Sequence, residues 1–222
     1  MDVNHKKSRE FFLNWSRRMW QLSGEEFARQ VSNTRKGKGV TIAGVCIDLT
    51  GVDLRRGVFL RKILQYVTLQ GCVIIGADLE GFTISRCIFK SCVFIDPNFY
   101  RAKISNSWFY DLDFVGDEVG LGERPYSLGS FDQAKLFRCI FDKSRFNSLY
   151  VRDVSVSSTE MNQCDFTGSR MGHFGLSGTR LDSCDFTDTG IFLSFDLGGA
   201  EVIRCRGFVD GQTSSMTCEL DG

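Results

Sequence analysis

The sequence predicts a solenoid, and two unbroken five-residue registers are the observations that predict it. The first register places a large apolar residue at fourteen consecutive positions: Leu49, Leu54, Phe59, Leu64, Leu69, Ile74, Leu79, Ile84, Phe89, Phe94, Phe99, Ile104, Phe109 and Phe114. The second does so at thirteen: Phe131, Leu136, Phe141, Phe146, Val151, Val156, Met161, Phe166, Met171, Leu176, Leu181, Phe186 and Ile191. Neither a helix, with a period of about 3.6 residues, nor a flat strand, with a period of about 2, puts every fifth residue on one face. A short repeat sustained over this length is typical of a solenoid.

The positions around each central residue are also patterned. The residue two before the centre is mostly small or apolar, and Asp or Asn often directly precedes the centre, as in Ala77-Asp78-Leu79-Glu80-Gly81. This unit resembles the A-(D/N)-L-X-X unit of the pentapeptide-repeat proteins, and the resemblance covers roughly residues 45–206. It implies an all-β solenoid of one kind, the right-handed quadrilateral β-helix, in which four pentapeptides make one square coil.

The resemblance also implies which side chains stack inside the coils. One core column is expected to contain Leu54, Ile74, Phe94 and Phe114, and another Leu69, Phe89 and Phe109, because strands of adjacent coils lie about 4.8 Å apart. Three residues depart from the pattern. Lys62 occupies an inward position, so its coil is expected to be irregular, and Phe82 and Phe174 are large for the small inward slot, so their coils are expected to bulge or face an end.

Residues 1–44 lack the five-residue register and are predicted to form a short N-terminal α-helical cap. Helices are predicted at about 8–22 and 24–32, the first from the helical spacing of Phe12, Trp15, Met19 and Leu22. Ser23 and Glu26 have the spacing of a capping box at the start of the second. A solenoid has an open end that must be covered, which suits such a cap. The alternative is a basic patch for nucleic acid or lipid headgroups, formed by Arg17, Arg18, Arg35, Lys36 and Lys38.

A loop insertion is predicted at residues 115–130, because the interval from Phe114 to Phe131 amounts to one pentapeptide plus twelve extra residues. The segment is rich in Gly and contains Pro125, as expected of an external loop. Loops on rigid scaffolds often carry function. The candidate partner-binding residues are Asp117, Glu118, Glu123, Arg124 and Tyr126, and the alternative is a neutral insertion.

The register slips by one residue after Ile191, giving the centres Phe192, Leu197 and Val202. The β-helix is therefore predicted over residues 45–206. The polar segment 207–222 is expected to be a frayed or disordered tail.

The composition gives little indication of a catalytic or ligand-binding function. The chain has 27 basic and 27 acidic residues, and neither a signal peptide nor a membrane-spanning stretch is expected from its sequence. Nine Cys without a CxxC pair favour a reducing cytoplasm. Six of them fall in the small inward slot, where packing is the expected role. We find no pattern of a catalytic, metal or cofactor site, and the chain is predicted not to be an enzyme.

Three functions remain open at this stage. The first is a bacterial scaffold for protein–protein interaction, with the partner and the oligomeric state left open. The second is implied by the resemblance: some pentapeptide-repeat proteins are DNA mimics that bind type II topoisomerases such as gyrase and protect them from quinolones. The third is a bacterial effector acting on a host protein. Direct nucleic-acid binding is not expected.

DNA mimicry needs an acidic face, whereas residues 45–206 carry a net charge of only −2, from 18 basic and 20 acidic residues. Such a face could still be formed by Asp142, Asp165, Asp182, Asp185 and Asp188. This requires that the nearby bases lie on another face, namely Arg138, Lys143, Arg145 and Arg180.

Overall fold

The structure, a computed structural model, describes residues 3–32, 34, 39–50, 52, 62–115, 134–146, 150–151, 154–171, 174–191, 195–196, 198–207 and 218–219. Its parallel strands form four faces, which we number in the order followed by the coil that starts at Val67. Face 1 contains Val40–Ala43, Val67–Gln70, Ile88–Lys90, Trp108–Tyr110, Ile140–Asp142, Glu160–Asn162, Arg180–Asp182, Glu201–Ile203 and Cys218–Glu219. Face 2 contains Trp20–Ser23, Val45–Asp48, Val73–Ile75, Val93–Ile95 and Asp113–Val115.

The other two faces complete the square. Face 3 contains the strands Tyr150–Val151, Arg170–Met171 and Gly190–Ile191, and earlier coils contribute the bridge between Asp78 and Asn98. Face 4 contains Ile63–Gln65, Thr83–Ser85, Lys103–Ser105, Lys135–Phe137, Val154–Ser157, Phe174–Ser177 and Phe195–Asp196. Single bridges continue face 2 through Asp113, Arg145, Asp165, Asp185 and Arg206.

Successive coils are offset by four pentapeptides, as Val73 pairs with Val93 and Val93 with Asp113. This confirms the predicted right-handed quadrilateral β-helix. The corner residue two positions after each centre commonly has a left-handed backbone, with φ of +55° at Arg86 and +51° at Arg138. That conformation turns the chain from one face to the next.

The core consists of stacked rings. Phe94 stacks on Phe114 with centroids 5.3 Å apart, and the stack continues through Phe146, Phe166 and Phe186 at 4.8–4.9 Å. Phe89, Phe109 and Phe141 form a second stack on face 1, at 5.0 and 4.4 Å. The predicted contacts of Ile74 with Phe94 and of Phe94 with Phe114 are confirmed by the strand register.

Both predicted changes in spacing are confirmed. Lys103 pairs with Lys135 and Trp108 with Ile140, and each of these intervals is twelve residues longer than four pentapeptides. Leu181 pairs with Val202, an interval that exceeds four pentapeptides by one residue. The twelve extra residues fall within 116–133, which lie outside the described residues.

Deleting twelve residues within 115–130 is expected to leave the β-helix intact. The deletion restores the offset of four pentapeptides between the coils on either side, and the core columns on both sides stay in register. Thermal unfolding followed by circular dichroism should give a melting temperature close to that of the wild type. A deletion that abolishes cooperative unfolding would mean that the segment belongs to the core.

The N-terminal segment differs from the prediction. Helix α1 spans Val3–Ser16, not 8–22, and Trp20–Ser23 forms a strand that pairs with Val45–Asp48. A further strand, Val40–Ala43, pairs with Val67–Gln70 on face 1. The segment 1–44 therefore contributes strands to the sheets as well as helices, because a residue such as Leu22 can occupy an inward strand position without any local repeat to mark it.

The start of the register was wrong by two residues. Ile47, not Leu54, pairs with Ile74, and Ile42, not Leu49, pairs with Leu69. Both intervals exceed four pentapeptides by seven residues, so seven extra residues lie between Asp48 and Ile63, most of them outside the described residues. Ile47 thus occupies the position next to Ile74 in the core column, where the sequence predicted Leu54. Leu54 lies outside the described residues. Leu49 is buried at 2% exposure without being a central residue.

Helix α2, Gly24–Ser32, lies against the end of the core, where Phe27 and Val31 are buried in the main apolar cluster. Ser23 caps the helix as predicted, since its hydroxyl accepts a hydrogen bond from the Glu26 amide at 3.2 Å. The Glu26 carboxylate instead accepts hydrogen bonds from Arg29 and Gln30. These bonds hold the pKa of Glu26 at about 2, below its usual value.

Helix α1 lies along the side of the solenoid, not over its end. Phe12 and Leu13 of α1, together with Met19 just after it, pack on Val93, Ile95 and their neighbours on the outer surface of face 2. The Arg9 guanidinium pairs with the Asp96 carboxylate at 2.5 Å. The first helix of the predicted cap therefore covers face 2 and not the end of the solenoid. The outer residues of face 2 are apolar, and a surface of this kind needs to be covered.

The irregular residues and the tail can also be placed. Lys62 is half-buried with φ of +49°, and its Nζ donates to the Glu80 carbonyl at 2.8 Å. Phe82 fills the core end next to α2, where it lines a small apolar cavity with Phe27. Phe174 lies within a regular strand at 3% exposure, so the expected bulge is not seen there. Cys218–Glu219 pairs with Val202–Ile203, so this part of the tail is a strand.

Candidate interaction surface

Three residues of each pentapeptide lie on the outer surface: the one before the centre and the two after it. Across coils these residues form straight columns with a spacing of about 4.8 Å, because strand pairing keeps them in register. The register therefore assigns every outward side chain to one face. A binding surface on this protein is a set of neighbouring columns.

The outward acids do not gather on one face. Asp142 and Asp182 lie on face 1, whereas Asp165 and Asp185 precede face-2 centres and Asp188 follows one. The bases that mimicry would place on another face lie among these acids. Arg180 is on face 1, and the backbone of Arg145 pairs with those of Asp113 and Asp165 on face 2. These residues therefore do not meet the condition that DNA mimicry sets, with acids on one face and bases on another.

Among the described residues, three acids on the strands of faces 1 and 2 form ion pairs with arginines, and Asp182 is the one of the five named above that does so. Arg145 pairs with Asp113, Arg204 with Asp182 at 2.6 Å, and Arg180 with Glu201 at 3.7 Å. Burial opposes ionisation of Asp182, but hydrogen bonds from Ser183 and Arg204 outweigh it and lower the pKa of the carboxyl group. The ion pairs at Asp113, Asp182 and Glu201 thus partly neutralise the acidic charge of faces 1 and 2.

Face 4 has a different character. Its four strands between Ile63 and Phe137, together with the residue before and the residue after each strand, carry five bases and no acid. We call the surface formed by Tyr66, Arg86, Lys103, Lys135, Phe137 and Arg138 the face-4 patch. Lys103 and Lys135 pair directly across adjacent coils, and both side chains are exposed. Arg86 and Arg138 are exposed corner residues of the same face.

The bases of the patch form two edges. Lys103 and Lys135 precede their centres, whereas Arg86 and Arg138 follow theirs by two residues, so the edges are about 10 Å apart. Between them runs a column of small side chains, Ser85 and Ser105, which ends at Phe137. The result is a flat strip with cations on both sides and an aromatic ring at one end.

Each arginine of the patch is positioned by an aromatic ring. The Arg138 guanidinium lies 4.7 Å from the Phe137 ring centroid, and that of Arg86 lies 5.3 Å from the Tyr66 centroid. Arg86 also donates a hydrogen bond to the Tyr66 hydroxyl. A ring restricts the guanidinium without neutralising it. Among the described residues, no carboxylate lies within ion-pair distance of any of the four bases of the patch.

The sequence-predicted loop residues Asp117, Glu118, Glu123, Arg124 and Tyr126 lie outside the described residues, so the structure does not place them. The chain leaves face 2 at Val115 and is next described at Ala134, one residue before Lys135 of the patch. The face-4 patch was missed because its columns appear only after twelve residues are subtracted between Lys103 and Lys135.

The cysteines serve as packing, as predicted. Cys72, Cys87, Cys92, Cys139, Cys164 and Cys184 are free thiols with at most 1% exposure. Burial raises the pKa of Cys87 and of Cys139 to about 11. These two thiols are therefore protonated at neutral pH and poor nucleophiles. In the described part of the chain, no three side chains of the metal-binding types come together.

Neither α1 nor α2, the helices of the described chain, is long and apolar enough to span a membrane. No protein-family model matches the sequence, and no curated protein matches it at a significant level.

Several solved structures match the fold at low identity. A trypsin-treated variant of QnrB1, a plasmid-mediated fluoroquinolone resistance protein, is 15% identical with a TM-score of 0.37, covering 83% of this chain and 92% of that chain. HetL, a pentapeptide repeat protein of the cyanobacterium Nostoc, is 12% identical with a TM-score of 0.32, covering 83% and 81%. At these TM-scores the likeness says nothing about function. The chain's own five-residue register and four parallel faces identify it as a pentapeptide-repeat β-helix.

Proposed function

We propose that the protein is a non-enzymatic scaffold that binds a protein partner, and that the face-4 patch receives an acidic segment of that partner. The observation that carries this proposal is the set of four exposed bases on one flat face that have no carboxylate partner among the described residues, whereas Arg9, Arg29, Arg145, Arg180 and Arg204 all form ion pairs. Unpaired bases on a rigid face lose little entropy when an acidic segment docks. The buried free thiols fit a reducing cytoplasm.

The chemistry of the patch favours a peptide with acidic and apolar residues. Phe137 is 40% exposed and Ile63, further along the face, is 42% exposed, so apolar contact is available at both ends of the basic strip. Carboxylates match the fixed fork of a guanidinium, and arginine with aromatic residues is the usual composition of a binding hot spot. A segment of about four residues spans the distance of about 10 Å between the two edges.

The alternative of DNA mimicry calls for the opposite sign of charge. A mimic presents acids to a groove lined by Lys and Arg, whereas the face-4 patch presents bases. A gyrase supercoiling assay with and without a quinolone tests the alternative. Inhibition or protection by the wild type that survives reversal of the face-4 lysines would favour the topoisomerase function over the scaffold proposed here.

The test uses a matched pair of charge reversals. The K103E/K135E variant reverses two exposed lysines of the patch, and K90E/K143E reverses two exposed lysines outside it, so both change the net charge equally. Binding of a fluorescein-labelled polyglutamate peptide is followed by fluorescence anisotropy. We expect K103E/K135E to weaken binding at least about tenfold, since two attractions become repulsions. K90E/K143E should change it less than about threefold.

Two results would overturn the proposal. One is equal weakening by both variants, which would mean that net charge alone is sensed. The other is much tighter binding of single-stranded DNA than of polyglutamate at equal charge, which would make the ligand a nucleic acid. Affinity capture from bacterial and eukaryotic lysates then identifies the partner as the protein retained by K90E/K143E and lost by K103E/K135E.

A further inference from the structure

The N-terminal segment exposes three large aromatic side chains within ten residues. Phe11 is 65% exposed, Trp15 41% and Trp20 80%. Only two other large apolar side chains of the described chain, Ile63 and Phe137, are comparably exposed. We call Phe11, Trp15 and Trp20, together with Arg17 and Arg18, the N-terminal patch.

Helix α1 is apolar on two sides. Phe12 and Leu13 pack on face 2, so docking of the helix accounts for those residues. Phe11 and Trp15 are four residues apart, lie on one helical stripe, and remain exposed after the helix has docked. Both rings contact Phe12, but packing among the described residues leaves much of their surface uncovered.

A compact turn fixes Trp20 near the end of α1. The Arg18 amide donates to the Trp15 carbonyl and the Met19 amide to the Ser16 carbonyl, both at 3.0 Å. Gln21 Nε2 donates to the Ser16 carbonyl at 2.8 Å. Trp20 then begins the strand that pairs with Val45–Asp48. The turn that carries Arg17 and Arg18 is thus rigidly held between Trp15 and Trp20.

The charge around these aromatics is positive. Arg17 and Arg18 are both exposed. Residues 1–44 contain nine Lys or Arg against four Asp or Glu, whereas the β-helix that follows is nearly neutral. The chain therefore concentrates its excess positive charge in the segment that also exposes its aromatics.

We propose that the N-terminal patch binds the surface of an anionic lipid bilayer. Trp and Phe beside Arg is the composition that enters the headgroup region, where rings reach the acyl boundary and guanidinium groups contact phosphates. The rings protrude from a helix and a strand end, and a bilayer accepts protruding side chains without a shaped recess. Binding of this kind is reversible, and it would hold the face-4 scaffold at a membrane without depending on the face-4 ligand.

The tryptophans of the chain supply a fluorescent probe of vesicle binding. The chain contains three tryptophans, of which Trp15 and Trp20 are in the patch and Trp108 is a half-buried residue of face 1. On mixing with vesicles of phosphatidylcholine containing about one quarter phosphatidylglycerol, we expect a blue shift of the emission and sedimentation with the vesicles. Vesicles of phosphatidylcholine alone should bind at least about tenfold more weakly.

Two variants separate the contributions. R17E/R18E changes only exposed side chains and should lower binding to the anionic vesicles at least about tenfold. F11S/W20S should abolish sedimentation, and its melting temperature shows whether the fold is kept. The K90E/K143E variant is the matched control for R17E/R18E, and K103E/K135E should bind vesicles like the wild type. Retained vesicle binding by K103E/K135E separates this inference from the proposed function.

Three results would overturn the inference. The first is no binding of the wild type to the anionic vesicles. The second is equal binding to both kinds of vesicle, unaffected by R17E/R18E. The third is loss of a captured protein partner in F11S/W20S while vesicle binding stays unchanged, which would make the patch a protein-docking surface.

Discussion

The Phe94→Ala variant is expected to unfold with a free energy about 3–5 kcal/mol lower than that of the wild type, the range for a buried Phe. Phe94 is 2% exposed and stacks on Phe114 at 5.3 Å. Its edge contacts reach Phe89 at 5.6 Å and Phe99 at 5.9 Å. Truncation therefore removes contacts within one coil and between two coils.

The neighbours of Phe94 cannot easily close the space that its ring would leave. Their backbones are held at the coil spacing by strand pairing on both sides. Phe94 also lines an apolar cavity of about 20 Å³ next to α2, which the wild-type side chains already leave unfilled. Because the cost of truncation grows with residual cavity volume, we expect a loss in the upper half of the range.

Urea denaturation measures the effect, with Phe137→Ala as the control. Phe137 is 40% exposed on face 4, and its truncation should cost no more than about 2 kcal/mol. The urea dependence of the free energy should be the same for both variants, since the unfolded chains expose similar surfaces. A loss below about 1 kcal/mol for Phe94→Ala would contradict the stacked column.

The interior of the β-helix could be predicted because its constraint is periodic. A residue such as Phe94 faces the same surroundings as Phe114 one coil later, so every coil repeats the same requirement for a large apolar side chain. An insertion shifts the five-residue register by its own length, so its size can be read from the sequence. For this reason the twelve extra residues before Ala134 and the single extra residue before Val202 were both predicted correctly.

The first coil could not be predicted in the same way. Trp20–Ser23 and Val40–Ala43 are strands with no repeat of their own, and they are recognisable only by what they pair with. The five-residue register also continues back through Leu54 and Leu49, although Ile47 and Ile42 are the residues that pair with Ile74 and Leu69. All four of these residues are apolar, so the two registers cannot be distinguished from the local sequence.

The charge and the apolar character of each outer face depend on residues from several coils, and a single pentapeptide does not show which residues come together. The face-4 patch joins Lys103 to Lys135 across the insertion. The site of α1 docking, however, had an unused signal. Val93, Ile95 and Val115 are outward positions on neighbouring coils, and all are apolar. An apolar outward column indicates that something covers it.

Substituting Asp for Ile95 tests that cover and is the second large effect we expect. Ile95 follows a core centre, so the repeat alone places it on the surface, yet it is 0% exposed beneath α1. Asp at this position would be a buried carboxylate beside Val93 and Val115, and the Arg9 guanidinium of α1 already pairs with Asp96. We expect a loss of about 3–5 kcal/mol at neutral pH.

The Lys90→Asp variant is the matched control, because Lys90 follows the face-1 centre Phe89 as Ile95 follows Phe94, and it is exposed. It should cost less than about 1 kcal/mol. Burial raises the pKa of the introduced carboxyl in the folded Ile95→Asp protein above its unfolded value of about 3.9. The folded state then binds more protons, so the deficit should be full above the raised pKa and shrink as the pH falls toward 4. Equal, pH-independent losses for the two variants would mean that α1 does not cover face 2.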